Sequence, residues 1–136
     1  MLCLDSNLVS DHLVGYQPAR RFLNEYSNED LVITATTMVE LYMGALYGRF
    51  DGGLDETREA IGWLSLDVLE HDNRTALETA RLQKELQRRG SPLTAMDAMI
   101  GATARVNGAT LATNDGNFLN NDVRDVLDIV EYDRDR

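Results

Sequence analysis

Apolar residues recur along this chain in two alternating rhythms. Met1 to Leu4 is an unbroken apolar run stopped by Asp5-Ser6-Asn7, the pattern of a strand buried on both faces of a parallel sheet. Leu31 to Thr34 is short and β-branched and predicts a second strand. Leu66–Leu69 and Ala109–Thr113 supply a third and a fourth, and Val126–Val130 a last strand at the edge. Between these runs the spacing turns helical. Ser6–Val14 carries Leu8, Val9, His12 and Leu13 and ends at Gly15, and Pro18 opens a short helix with Phe22, Leu23 and Tyr26. A long helix is expected from about Thr36 to Phe50, broken by Asp51-Gly52-Gly53, and a further one from about Asp55 to Leu64. Asn73–Arg89 is the most regular helix, with Glu78–Leu82 and Arg81–Glu85 at four-residue spacing and a stop at Gly90 and Pro92. Thr94–Asn107 is another, Phe118–Asn121 is a short helical turn, and the charged tail Glu131–Arg136 is expected to fray. Strand and helix alternate throughout. The expectation is one α/β domain over residues 1–136, with a central, mostly parallel sheet of four to five strands and helices on both faces.

Composition narrows the class. At 136 residues with 43% hydrophobic and 26% charged side chains, the chain can bury a core of its own. No apolar run approaches the roughly 20 residues that span a bilayer, so no membrane partner is expected. The N-terminus lacks a basic region followed by an apolar one, which points to a cytoplasmic protein. Cys3, the one cysteine, lies in the first strand and reads as a buried, inert thiol. Acidic residues outnumber basic ones 23 to 13, for a net charge of −10, and Lys84 is the sole lysine. Such a surface suits a halophilic protein in a salt-saturated cytoplasm, where screening removes self-repulsion; a merely acidic mesophilic protein is the alternative. There is no broad basic face, so any nucleic-acid chemistry must recruit cations or use a few arginines.

Four carboxylates carry the candidate chemistry. Asp5 stands at the carboxyl end of the first strand, the edge where open α/β sheets place ligands; it is either a helix N-cap or a metal ligand. Glu40 lies one turn into the helix after the second strand, Asp97 one turn into the helix before the fourth, and Asp115 directly after the fourth strand. Each has a plain structural explanation. Thr37-x-x-Glu40 and Thr94-x-x-Asp97 read as capping boxes, and Asn114-Asp115-Gly116 as turn chemistry. Two features favour a site. Glu40 and Asp97 sit among apolar neighbours, where an unpaired carboxylate is costly. Gly101 and Ala104 are small enough to let the helix of Asp97 lie close to the sheet. Converging carboxylates raise one another's pKa unless a cation neutralises them, and an all-oxygen cluster suits Mg²⁺ or Mn²⁺.

These residues resemble a known family. Asp5-Ser6-Asn7 after an apolar strand, Val39-Glu40-Leu41, Asp97-Ala98-Met99-Ile100-Gly101-Ala102-Thr103-Ala104, and Thr113-Asn114-Asp115 with Phe118 look together like a PIN-domain ribonuclease. Size and motif order are closest to the VapC-type toxins, and the resemblance covers Met1 to about Val130. Ser6 stands where threonine is more usual and keeps the hydroxyl, while the acidity of the whole chain is less typical of an RNA-cutting protein. The resemblance implies a PIN-like three-layer fold and a metal-dependent endoribonuclease acting as the toxin of a type II toxin–antitoxin system. It implies Mg²⁺ (or Mn²⁺) at Asp5, Glu40, Asp97 and Asp115. Asp5 and Asp97 would be the principal ligands, Asp115 would serve a second ion or act through water, and Glu40 would orient or deprotonate the nucleophile. Ser6, Thr113 and Asn114 are the neighbouring polar groups. Implied partners are an RNA substrate, a cognate antitoxin and a second copy in a homodimer, with Leu8, Leu13, Phe22, Tyr42 and Leu46 as the candidate apolar lining.

Other readings fit less of the chain. A haloacid-dehalogenase-type phosphatase needs a second aspartate at the position of Asn7, and a receiver domain needs a lysine after a late strand, whereas Lys84 is mid-helix. A PIN-domain processing nuclease without an antitoxin and an inactive PIN-like binding module remain alternatives. His12 and His71 show no ligand spacing and are expected to be partly exposed. Trp63 and the tyrosines read as core or interface. Arg20, Arg21 and Arg49 could meet phosphate or be solvated.

Overall fold

The computed structural model describes residues 1–135. In chain order the elements are β1 (Leu2–Leu4), α1 (Ser6–Leu13), α2 (Gln17–Glu25), β2 (Leu31–Thr34), α3 (Ala35–Leu46), α4 (Leu54–Gly62) and β3 (Asp67–Leu69). They continue as α5 (Asn73–Arg88), α6 (Ala95–Val106), β4 (Thr110–Thr113), α7 (Gly116–Leu119), α8 (Asn121–Val126) and β5 (Ile129–Glu131). All five strands are parallel, in the order β3-β2-β1-β4-β5. Parallel neighbours need crossovers, and here helices supply them, giving three layers.

The alternation of side chains along each strand divides the core in two. Cys3, Val32 and Leu111 pair across the sheet and face one layer, where they meet Leu82 and Leu86 of α5, Ile100 of α6, Phe118 and Leu127. Leu2, Leu4, Ile33 and Ala112 face the other, against Leu8 and Val9 of α1, Ala19 of α2, Leu41 of α3 and Tyr132. β1 is therefore buried on both faces, as its unbroken apolar run requires. Strand order reverses beside it: β2 and β3 extend to one side, β4 and β5 to the other. The carboxyl ends of β1 and β4 form the switch point, where an open α/β sheet leaves a crevice.

Several expectations are corrected. α3 stops at Leu46 rather than Phe50, because Gly48 takes a left-handed conformation (φ +80°). The Arg49 N–H then donates to the Gly44 carbonyl at 2.8 Å and the Gly48 N–H to that of Ala45 at 3.2 Å, which closes the helix. The stretch expected as a strand from Val126 begins instead as the end of α8, nucleated by Asn120, whose side chain accepts from the Val123 N–H at 3.0 Å. β5 follows at Ile129–Glu131. The tail does not fray over the described residues. Tyr132 is buried, its hydroxyl donates to Asp11 at 2.9 Å, and Arg134 pairs with the same carboxylate at 2.8 Å; Arg136 lies outside the described residues. Gly101 makes room for side chains rather than for the strands, since a Cβ there would stand 2.8 Å from Leu127 and 3.4 Å from Leu82. Of the expected apolar lining, Leu8 is fully buried, Leu13, Phe22 and Tyr42 pack against the core, and Leu46 alone is open. Trp63 is 81% exposed and is not core.

Candidate functional site

β1 delivers Asp5 to the switch point, and three contacts hold it there. Its backbone N–H donates to the Ala112 carbonyl at 3.0 Å, carrying the β1–β4 pairing one residue further. One carboxylate oxygen accepts from the Ser6 N–H at 2.9 Å and caps α1. The other accepts from the Thr113 hydroxyl at 2.6 Å. Asp5 is therefore a helix cap whose second oxygen is committed to β4. The Thr113 hydroxyl in turn accepts from the Asp115 N–H at 3.0 Å, so one buried side chain sets both aspartates. Beside it the Asn7 amide donates to Asn114 at 3.0 Å, a second tie between α1 and the end of β4.

Asp115 caps α7 by accepting from the Asn117 N–H at 2.9 Å. Asp97 is the third residue of α6, and its N–H donates to the Thr94 hydroxyl at 3.2 Å, the capping arrangement its sequence spacing suggests. The side chains of Thr94 and Asn117 both act to lower its carboxyl. Asn117 thus links Asp115 and Asp97. In the sequence it carries only a turn signal.

Glu40 is different. The residue that caps α3 is Thr34, whose hydroxyl oxygen accepts from the Thr37 N–H at 3.0 Å, so Thr37 is already inside the helix. Glu40 falls in the second turn and has no capping duty, which corrects the capping-box reading of Thr37-x-x-Glu40. It is half-buried, and its Oε1 has no hydrogen-bond partner among the described residues.

The electrostatics bring the four acids into one field. Burial pushes the Glu40 carboxyl up to about 7, and Asp5, Asp97 and Asp115 add to the shift, while Arg49 opposes it. Burial also raises Asp5, as do the charges of Asp115 and Asp97, against the lowering hydrogen bonds from Thr113 and Ser6. Asp97 is raised by burial and by Asp115, and its bonds from Thr94 and Asn117 work the other way. Charge crowding of this kind is relieved by a proton or by a cation. All donors are oxygens, the set a hard divalent ion prefers. Among the described residues, however, no group of three or more His, Cys, Asp or Glu side chains is set to hold an ion by itself. The arrangement fits an ion held through one or two carboxylates that keeps several waters, as Mg²⁺ usually does.

Cys3 is fully buried and its thiol is pushed up to about 12, chiefly by burial, so it is inert. His12 and His71 are partly exposed. Arg20, Arg21, Arg49 and Lys84 are exposed. No helix of the described residues is long and apolar enough to cross a membrane.

Comparison with known proteins agrees with the fold. The tRNA(fMet)-specific endonuclease VapC of Shigella flexneri is 33% identical over 87 residues, which cover 62% of this chain and 63% of that protein. Toxin FitB of Neisseria gonorrhoeae is 31% identical over 132 residues, covering 90% of this chain and 94% of FitB. Among solved structures, VapBC2 of Rickettsia felis bound to a promoter DNA fragment superposes with a TM-score of 0.77 at 17% identity, over 97% of this chain and 98% of that one. The family model described as PIN domain matches residues 2–123. With that match, the five-stranded parallel sheet and the acids gathered at its switch point, the chain belongs to the PIN domain family.

Proposed function

We propose that this protein is a metal-dependent endoribonuclease that hydrolyses RNA phosphodiester bonds and serves as the toxin of a type II toxin–antitoxin pair. The observation that carries the reading is Glu40. A half-buried carboxylate with an unpartnered oxygen, no helix-capping duty and three acidic neighbours costs stability, and catalysis gives it a purpose. The relatives named as a tRNA(fMet)-specific endonuclease and as a toxin support the class of reaction and the biological role.

Asp5 and Asp97 are the residues that would hold a Mg²⁺ or Mn²⁺ ion, with Asp115 completing the set through water or at a second ion. A divalent ion so held lowers the pKa of bound water and offsets charge building on the phosphate oxygens. The chain's own part is positional. Thr113 keeps Asp5 and Asp115 in register, and the Asn117 side chain helps keep the Asp97 carboxylate charged. Glu40, with a carboxyl near 7, takes a proton from the attacking water and gives it up again at neutral pH. The biological partners in this reading are RNA, a cognate antitoxin and a second copy of the chain, in a salt-rich cytoplasm.

RNA cleavage measured in molar KCl, with and without Mg²⁺ or Mn²⁺, tests the reaction. Cutting that needs the ion is expected, and cutting that persists in a chelator defeats the metal assignment. A small gene for a DNA-binding protein beside this one is expected for the toxin role.

A further inference from the structure

An acidic chain of net charge −10 must still hold a polyanion against a cluster of carboxylates. A metal supplies part of the counter-charge, and one side chain is built to supply more. The turn that ends α3 folds the chain back on the helix: the Arg49 N–H donates to the Gly44 carbonyl at 2.8 Å, past Gly48 in its left-handed conformation. Gly44 follows Glu40 by four residues, so the two share a helix face one turn apart. A Cβ on Gly44 would lie 3.2 Å from the Arg49 Cδ and 3.6 Å from its Cβ. The stem of Arg49 therefore rests on bare backbone beside Glu40, in space that a larger residue at 44 would fill.

The guanidinium at the end of that stem is exposed and meets no carboxylate at salt-bridge distance among the described residues. Arg105, by contrast, is committed to Glu78 and Glu85, Arg89 to Asp122 and Asp125, and Arg134 to Asp11. Arg49 also lines a groove of about 460 Å³ together with Leu13, Val14, Phe50 and Thr57, and with the carboxylates of Asp51 and Glu56.

We propose that Arg49 binds a phosphate of the RNA backbone next to the carboxylate cluster, laid there by its stem packing on Gly44; the inference rests on the ribonuclease reading above. Arginine suits the task because its planar fork takes a phosphate through two parallel hydrogen bonds. The phosphate so held is a neighbour of the one cut.

Arg49→Met keeps the apolar stem on Gly44 and removes the charge, so folding is spared. Binding of a short labelled RNA, followed by fluorescence anisotropy with Ca²⁺ present, should weaken about tenfold in Arg49→Met. The slope of log affinity against log salt should fall by about 0.7, the share of one phosphate on a single strand. Arg49→Lys should restore the slope and part of the affinity. In cleavage assays with Mn²⁺, the Arg49→Met change should raise KM more than it lowers kcat. Equal affinity and slope in the native chain and Arg49→Met overturn the proposal, as does a loss confined to binding of an antitoxin tail peptide. A native chain that binds RNA with an Arg49-dependent slope yet cuts nothing defeats the nuclease reading and leaves Arg49 in place. A native chain that cuts, with Arg49→Met unchanged in KM, defeats Arg49 alone.

Discussion

The Thr113 hydroxyl donates to the Asp5 carboxylate at 2.6 Å, joining the ends of β4 and β1 across 108 residues of chain. The same oxygen accepts from the Asp115 N–H at 3.0 Å, so both its donor and an acceptor position serve the acidic site. Neither group is open to solvent, and a missing partner could not be replaced by bulk water.

Thr113→Val keeps the shape and removes both bonds. The Asp5 carboxyl should rise further, because that hydrogen bond is its main lowering influence. Loss of a bond to a buried carboxylate should cost about 1.5–3 kcal/mol of stability. Urea denaturation at neutral pH would measure it, together with a fall in cleavage. A variant as stable and as active as the native chain would show that the bond sets neither.

Asp97→Asn separates catalysis from folding. The backbone cap survives, since the Asp97 N–H still reaches Thr94, and one of the mutually repelling charges is gone. Cleavage should collapse while the metal-free protein stays as stable or gains slightly. Added Mn²⁺ should raise the native melting temperature and do much less for the variant. Native-rate cutting by Asp97→Asn, with equal stabilisation by metal, sinks the assignment.

Stability should fall as pH rises. The Glu40 carboxyl is raised in the folded state from 4.5 to about 7, so its contribution is complete below pH 4.5 and is lost as pH climbs through about 7. Glu40→Gln removes this dependence. Between those limits, the native and Glu40→Gln curves of the metal-free protein should diverge by about 1–2 kcal/mol, a figure discounted for solvent screening of a half-exposed group. Melting curves in chelator at several pH values would show it, and parallel curves would mean that Glu40 keeps its ordinary acidity.

Salt should stabilise the fold. With a net charge of −10 and one lysine, surface repulsion is strong in dilute buffer and screened in molar KCl. The melting temperature should climb with KCl. A flat or falling response would remove the case for a salt-adapted protein.

Local patterns in the chain determined much of this molecule. The apolar run before Asp5 reads as a two-sided central strand, and β1 is buried on both faces at the middle of the sheet. The Thr94-x-x-Asp97 spacing marks a helix start that Thr94 does cap, because capping is settled by residues within one turn. Even the family was legible, since motif order survives in one dimension. Where two local signals compete, tertiary structure chose between them. Thr37 and Thr34 are both good caps for α3, and the end of β2 placed the choice at Thr34, which freed Glu40 from the helix start. Val126 favours a strand by propensity, yet Asn120 nucleates a helix that runs through it. The acidic tail looked too polar to order, but Tyr132 packs beneath α1 and Asp11 receives both Tyr132 and Arg134. Most of the site belongs to this second kind. Asp5 meeting Thr113, Asn117 reaching Asp97 and the raised carboxyl of Glu40 all arise from groups that the parallel crossovers bring to one sheet edge. Residue types and spacing record which side chains are available; burial, and the field of charges far apart in sequence, exist only once the chain has folded.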